Sequence, residues 1–365
     1  MGVSAAQPVR VLVIDDSAHR RQRICERLES FPGVRVVGTA CDGEQALRET
    51  LTRAPGVIAL DLETPRMDGF AFLRRVLEAR PTAVVVVRAR AADENVFQAL
   101  ELGAVDFVAR PASSSALALD SFALELRRTI GALQNLRVET LGRPGPRLAP
   151  ECPARVRPVA TPGHRVVAIG ASTGGPSALM RIFGGFSEPP PCAILVSQHM
   201  PRGFTRRFAD RIARRTTLRA REASGGEALE PGLVLIAPGG SHLELEAVTG
   251  RVVTRRVAAA PGDAYAPSID RMFASAAKHL GPDLLAVVPT GMGDDGCRGA
   301  GAVRASGGAV LAESEDSAVI FGMPRQVIRA GHVDAVLHLG AIGNAIAWGL
   351  PRPTTRGLAE GVRHA

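Results

Sequence analysis

Short runs of aliphatic and β-branched residues alternate with helix-period segments along almost the whole chain, and that alternation restricts the fold more than any other feature. VRVLVI at 9–14, residues 34–38, VIAL at 57–60, AVVVV at 83–87 and VDFV at 105–108 recur at roughly 25-residue spacing. Apolar runs separated by helices pair through crossovers, which gives an α/β fold on a parallel sheet. After a last helical segment around 114–138, LGRPGPRLAPECPARVRPVATPGHR at 141–165 breaks the pattern with Pro, Gly and Arg. That is the composition of a semi-extended linker. The alternation then resumes with RVVAIG at 165–170, CAILVS at 192–197, LVLIAP at 233–238, LLAVVP at 284–289 and GAVLAE at 308–313. The expected organisation is therefore two α/β domains, residues 1–138 and 165–350, with a linker at 139–164 and a tail at 351–365. The length of 365 residues favours such a split, and no residue-level repeat relates the two halves.

The isoelectric point near 10.3 invites a nucleic-acid reading. Charge is unevenly placed, however: residues 1–140 balance 18 arginines against 18 acids, whereas residues 141–165 hold five arginines against one acid. A recognition face would put the excess on a folded domain among aromatics, and only 4% of residues are aromatic. No nucleic-acid partner is expected. No apolar run approaches the roughly 18 residues of a membrane span, so no membrane insertion is expected. MGVSAAQPVR lacks an apolar signal core and puts Ala6 where a myristoylation signal needs a hydroxyl, so the expected location is the cytoplasm. Cys25, Cys41, Cys152, Cys192 and Cys297 form no C-x-x-C pair, which argues against a disulfide framework and against zinc.

Ligands of an open parallel sheet bind outside the carboxyl ends of its strands. In the first domain, VLVIDDS places Asp15 and Asp16 there and VIALDLETPRMDG places Asp61. Three carboxylates gathered at one edge repel one another unless a cation lies between them, and hard oxygen donors suit Mg2+. Helix N-caps would explain single acids, not the pair plus a third. Residues 9–125 resemble a response-regulator receiver domain through IDDS, LDLETPRMDG and ALELGAVDFVARP. The resemblance implies that Asp61 accepts a phosphoryl group from a histidine kinase. It also implies Mg2+ as cofactor, held by Asp15, Asp16, Asp61 and the backbone carbonyl of Glu63. Two positions depart from the receiver pattern. Arg88 stands where a Ser or Thr hydroxyl meets the phosphoryl group, and Arg110 stands for a lysine. The second change keeps the charge but exchanges a compact ammonium for a planar fork, in a chain whose only lysine is Lys278.

In the second domain HRVVAIGASTGGPSALMRIF, residues 164–183, runs from a strand through a glycine-rich turn into a helix. Such a turn cradles a phosphate or presents a nucleophile. It lacks the Lys of a P-loop, and Pro176 removes an amide, so the phosphate reading weakens while the anion site at a helix start stays open. A nucleophilic Ser172 needs a base and an orienting acid on neighbouring strand-end loops. His199 in CAILVSQHMP and Asp294 or Asp295 in LLAVVPTGMGDDG qualify. His242 in LIAPGGSHLEL is a rival base. His279, His332 and His338 read as surface or structural.

Residues 164–350 resemble the catalytic domain of the chemotaxis protein-glutamate methylesterases through IGASTGGP, QHMP, IAPGG, TGMGDDG and FGMPR. The order of receiver, linker and catalytic domain matches that family too. The resemblance implies two doubly wound parallel sheets, the first flavodoxin-like, the second a larger α/β methylesterase domain. It assigns Ser172 as nucleophile, His199 as base and Asp295 as the orienting carboxylate, with Asp294 at a variable position and no cofactor for the ester chemistry. Met292 and Thr173 are the oxyanion-donor candidates. The implied function is hydrolysis of glutamate methyl esters on methyl-accepting chemotaxis receptors, with deamidation of glutamines as the same acyl transfer, gated by the receiver. One departure is Tyr265-Ala266 before PSID, where the family often has His-Arg; the change is either a tolerated surface substitution or, if an arginine there holds an acidic receptor helix, one that alters substrate choice. The alternatives are a non-catalytic signalling module with a degenerate receiver, and a general hydrolase of small esters.

Overall fold

A computed structural model describes residues 7–88, 95–110, 116–133 and 166–348. The expected linker at 139–164, the tail at 351–365 and Cys152 lie outside the described residues. Strands β1 (Val9–Ile14), β2 (Val34–Ala40), β3 (Val57–Leu60), β4 (Ala83–Arg88) and β5 (Asp106–Ala109) pair in parallel in the order β2-β1-β3-β4-β5. Helices α1 (Ala18–Glu29), α2 (Gly43–Arg53), α3 (Gly69–Ala79), α4 (Asn95–Glu101) and α5 (Ala116–Ala132) flank that sheet. Ser17, Asp42 and Asp68 each accept an amide hydrogen bond from the first turn of α1, α2 and α3, which satisfies a donor that the helix itself leaves unpaired. Every residue of β3 is buried, as a central strand covered on both faces requires.

The second sheet has seven parallel strands. In chain order its domain comprises β6 (Val166–Ala171), α6 (Gly175–Gly184), β7 (Ala193–Gln198), α7 (Phe204–Arg215), β8 (Arg219–Glu222) and β9 (Leu233–Ile236). There follow β10 (Ser241–Val248), β11 (Arg251–Ala258), α8 (Ile269–Leu280), β12 (Leu284–Val288) and α9 (Cys297–Ala305). The last elements are β13 (Ala309–Glu313), α10 (Met323–Arg329), β14 (Ala335–Leu337) and α11 (Leu339–Trp348). The order β14-β13-β12-β6-β7-β9-β8 runs one way from β6 to β7 and the other way from β6 to β12. The reversal opens a crevice at the carboxyl ends of β6, β7 and β12, where doubly wound sheets hold their ligands.

Four strands are absent from the expectations drawn from apolar runs. RARE in β8 has no apolar run because it is an edge strand, paired to β9 alone. The hairpin β10–β11 alternates with period two and turns at Thr249 and Gly250, both at positive φ; β14 has only three residues.

The two sheets are packed together through α4 and β5 on one side and α6 and α7 on the other. Phe97 stacks on Phe208 at 5.6 Å, and Phe107 lies on Phe204 at 4.7 Å. Arg211 Nε donates to Glu101 Oε1 at 2.9 Å, and Ser177 Oγ to the Leu100 carbonyl at 3.3 Å. Met292, Val319 and Ile320 pack with the cluster that holds Phe122 and Leu126 of α5.

Candidate active site and acidic pocket

Ser172 follows the last residue of β6, and α6 begins three residues later. Gly174, at φ +77°, makes that turn. A Cβ on Gly175 would meet Gln198 Oε1 at 2.0 Å, so the missing side chain makes room for an amide whose Nε2 donates to the Ser172 and His199 carbonyls at 2.9 and 3.1 Å. One glutamine thus ties the Ser172 turn to the His199 turn.

His199 lies directly after β7, its amide on the Ala171 carbonyl at 3.0 Å. Its Nδ1 is 3.1 Å from Ser172 Oγ, and its Nε2 is 2.8 Å from Asp295 Oδ2. An ionised carboxylate only accepts, so Nε2 carries the proton and Nδ1 is free to accept from the serine. Asp295 also accepts from Ser268 Oγ (3.1 Å) and from the amides of Ile269 (2.8 Å) and Asp270 (2.9 Å) at the start of α8. Burial pushes its carboxyl up, but the hydrogen bonds from His199 and those two amides outweigh it and hold it below the ordinary carboxylate range. Asp294 is exposed, whereas Asp295 is buried.

The loop carrying Met292 is braced from below. Glu313, fully buried, accepts from the Thr290 amide at 2.8 Å and from Ser317 Oγ at 2.9 Å, and Thr290 Oγ1 donates to the Thr173 carbonyl at 2.9 Å. Burial pushes the Glu313 carboxyl up to about 7. Among the described residues the amides of Thr173 and Met292 donate to no protein acceptor, which leaves both available to a ligand.

The rival base is placed elsewhere. His242 is part of β10 and wholly buried, its Nε2 2.8 Å from Asp263 Oδ2 and its Nδ1 accepting the Ser268 amide at 3.2 Å. It supports the start of α8 instead of facing Ser172. His279 lies in the last turn of α8, and His338, just before α11, accepts the Gly340 amide through Nδ1. Tyr265 was unusual in the sequence only as a departure; in the fold its ring lies flat on His199, centroids 4.5 Å apart and planes 7° from parallel. Its phenol is pushed up by burial and by Asp294 and Asp295, with Arg128 of α5 acting the other way.

In the first domain ligand oxygens of Asp15, Asp16 and Asp61 lie within 4.8 Å of one another at the ends of β1 and β3. Arg20 donates through Nε to Asp15 Oδ1 and Oδ2 at 2.9 and 3.0 Å and also reaches Asp16. Arg110 Nη1 is 3.3 Å from Asp15 Oδ2 and 3.4 Å from Asp61 Oδ2. The Glu63 amide donates to Asp61 Oδ1 at 3.1 Å. Three converging hard-oxygen donors fit Mg2+, and both guanidinium groups now share their charge. Arg88 ends β4, and its side chain lies outside the described residues.

A serine, a histidine and a buried carboxylate meet at the switch point of a parallel sheet, the arrangement of groups that hydrolases use, here joined to a flavodoxin-like domain with an acidic pocket. Residues 167–346 match the family model for CheB methylesterase, and residues 11–119 that for the response regulator receiver domain. Protein-glutamate methylesterase/protein-glutamine glutaminase 3 of Geobacter sulfurreducens is 44% identical over 357 residues, covering 93% of this chain and 96% of that protein. Its namesake numbered 1 from Myxococcus xanthus is 44% identical over 346 residues, covering 94% and 98%. Among solved structures, the CheB methylesterase catalytic domain of Thermotoga maritima is 39% identical, with TM-score 0.49, covering 51% of this chain and 98% of that one. The chain belongs to the CheB methylesterase family and carries its receiver domain.

Proposed function

We propose that this chain hydrolyses glutamate methyl esters, and deamidates glutamines, on methyl-accepting chemotaxis receptors. The observation that carries the reading is His199, held between Ser172 Oγ at 3.1 Å and Asp295 at 2.8 Å. His199 Nδ1 takes the serine proton as Oγ attacks the ester carbonyl. The imidazolium that forms is balanced by Asp295 and returns its proton to the departing methoxide, which leaves as methanol. Water then gives a proton to His199 and attacks the acyl-enzyme, and that proton returns to Ser172 as glutamate is released. The amides of Thr173 and Met292 are the donors for the oxyanion. With a glutamine the leaving group is ammonia.

Asp61 is the phosphoacceptor in this reading, supplied by a histidine kinase, and Asp15, Asp16, Asp61 and the Glu63 carbonyl would hold Mg2+. When bound, that ion offsets carboxylate charge beside the transferring group. The receiver restrains the esterase by covering its crevice. What supports this is the packing of Met292, Val319 and Ile320 with the cluster that holds Phe122 and Leu126 of α5, and the hydrogen bond from Ser177 Oγ of α6 to the Leu100 carbonyl at 3.3 Å. Phosphorylation shifts the balance towards an uncovered state. The pathway is cytoplasmic.

The test is methanol release from methyl-labelled receptor membranes by the full chain, with and without a small phosphodonor and Mg2+. Release should disappear in Ser172→Ala, falling about ten-thousandfold, and rise with the phosphodonor unless Asp61→Asn is present. Turnover of a small chromogenic ester far above that of receptor would overturn the substrate assignment. Failure of the phosphodonor to accelerate release would mean that the arginines have silenced the pocket.

A further inference from the structure

The base has a neighbour that the acyl-transfer scheme leaves without a role. Tyr265 lies on the imidazole of His199 with ring centroids 4.5 Å apart and planes 7° from parallel. It precedes Ser268, whose hydroxyl holds Asp295, so the segment that supplies the stacked ring also orients the carboxylate. The TGMG turn is shaped around it: a Cβ on Gly293 would come within 2.7 Å of Tyr265 Oη, and Gly293 sits at φ +94°. In-plane contacts fix two edges of the imidazole, Ser172 at Nδ1 and Asp295 at Nε2. Neither resists tilting of the ring out of its plane.

We propose that Tyr265 is a positioning residue for the esterase reaction, its ring face holding the His199 imidazole in line between Ser172 and Asp295. The proposal rests on the reading of His199 as base. A flat aromatic face also attracts the imidazolium that forms when His199 takes the serine proton, so the contact is stronger in the transition state than in the resting enzyme. An interaction of that kind acts on kcat and leaves KM nearly unchanged. The phenol hydroxyl is not needed for it; the ring is.

The experiment uses the full chain and two independent readouts. Kinetics on methylated receptor membranes compare wild type, Tyr265→Ala and Tyr265→Phe, with Ser172→Ala as the blank. Tyr265→Ala should lower kcat about tenfold with KM within about threefold, and Tyr265→Phe should restore most of kcat. Loss in KM alone, equal loss in both variants, or full activity of Tyr265→Ala would overturn the proposal. Because the chain has a single tyrosine, ring-labelled tyrosine gives one set of NMR signals that report Tyr265 without any substrate. Those signals should shift when His199 is replaced by Ala; signals that stay in place would show that the stack is absent and overturn the proposal. Failure of wild type to release methanol above the Ser172→Ala blank would instead count against the esterase reading, and the NMR comparison would still decide on the stack.

Discussion

At the scale of single residues, Ser172, His199 and Asp295 stood out as candidates because each lies in a loop that follows an apolar strand run. Their supports were not. Gln198, Ser268 and Glu313 carry no sequence signal that separates them from ordinary polar residues, and each acquires its role only from what lies beside it in space. Glu313 makes a testable case. Its carboxyl is pushed up by burial from an ordinary value of 4.5 to about 7, so between those values the folded chain keeps a proton that the unfolded chain has lost. Its contribution to stability therefore falls as pH rises through that window and is level above it. Thermal unfolding followed from pH 5 to pH 8 should show a decline in wild type that is shallower in Glu313→Gln, whose amide can still accept from Thr290. Equal slopes would mean that Glu313 is already ionised in the fold.

At the scale of elements, the alternation of apolar runs located every central strand of both sheets, since a strand buried on both faces must be apolar throughout. It missed β8, β14 and the β10–β11 hairpin, where polar residues interrupt the apolar run or the strand has only three residues. That omission explains the misplaced rival: His242 reads as a loop histidine after LVLI but belongs to a hairpin strand, where it is enclosed and paired with Asp263. The strand-to-helix turn at 172–175 is an element-level device with little tolerance. Gly175→Ala would drive a methyl into Gln198 and should cost about 1–3 kcal/mol in denaturant unfolding, together with most of the esterase rate, because Gln198 links the Ser172 and His199 carbonyls. Ser268→Ala removes both a cap of α8 and a hydrogen bond to Asp295. The expected loss is about 1 kcal/mol of stability and a drop in kcat measurable by methanol release, with receptor affinity retained.

At the scale of the whole molecule, the join between the domains lies against the loops beside Ser172, where Met292, Val319 and Ile320 pack with α5. Glu101 of α4 and Arg211 of α7 pair across it beside the stacked phenylalanines. Glu101→Arg changes no residue of the esterase domain but sets two like charges in contact, so the covered state should lose ground and methanol release without phosphodonor should rise about tenfold. Combining it with Arg211→Glu should bring release back down. An unchanged basal rate in Glu101→Arg would separate this contact from restraint of the esterase. Asp106 adds a pH sense to the same join: burial pushes its carboxyl up to about 7, so docking that buries it should weaken as pH rises towards that value.

Sequence by itself determined the fold class, the two-part organisation and which groups are candidates for the chemistry. Apolar periodicity reports burial directly, and motifs such as IGASTGGP and TGMGDDG report loop geometry directly. Tertiary structure decided which groups meet. The reversal of strand order at β6 brings Ser172, His199 and Asp295 together from positions up to 123 residues apart, 172 to 295. It lays Tyr265 flat on His199 and sets Phe107 against Phe204. Such contacts depend on how separate elements pack, and no local pattern of residues encodes a neighbour that arrives from another strand or another domain.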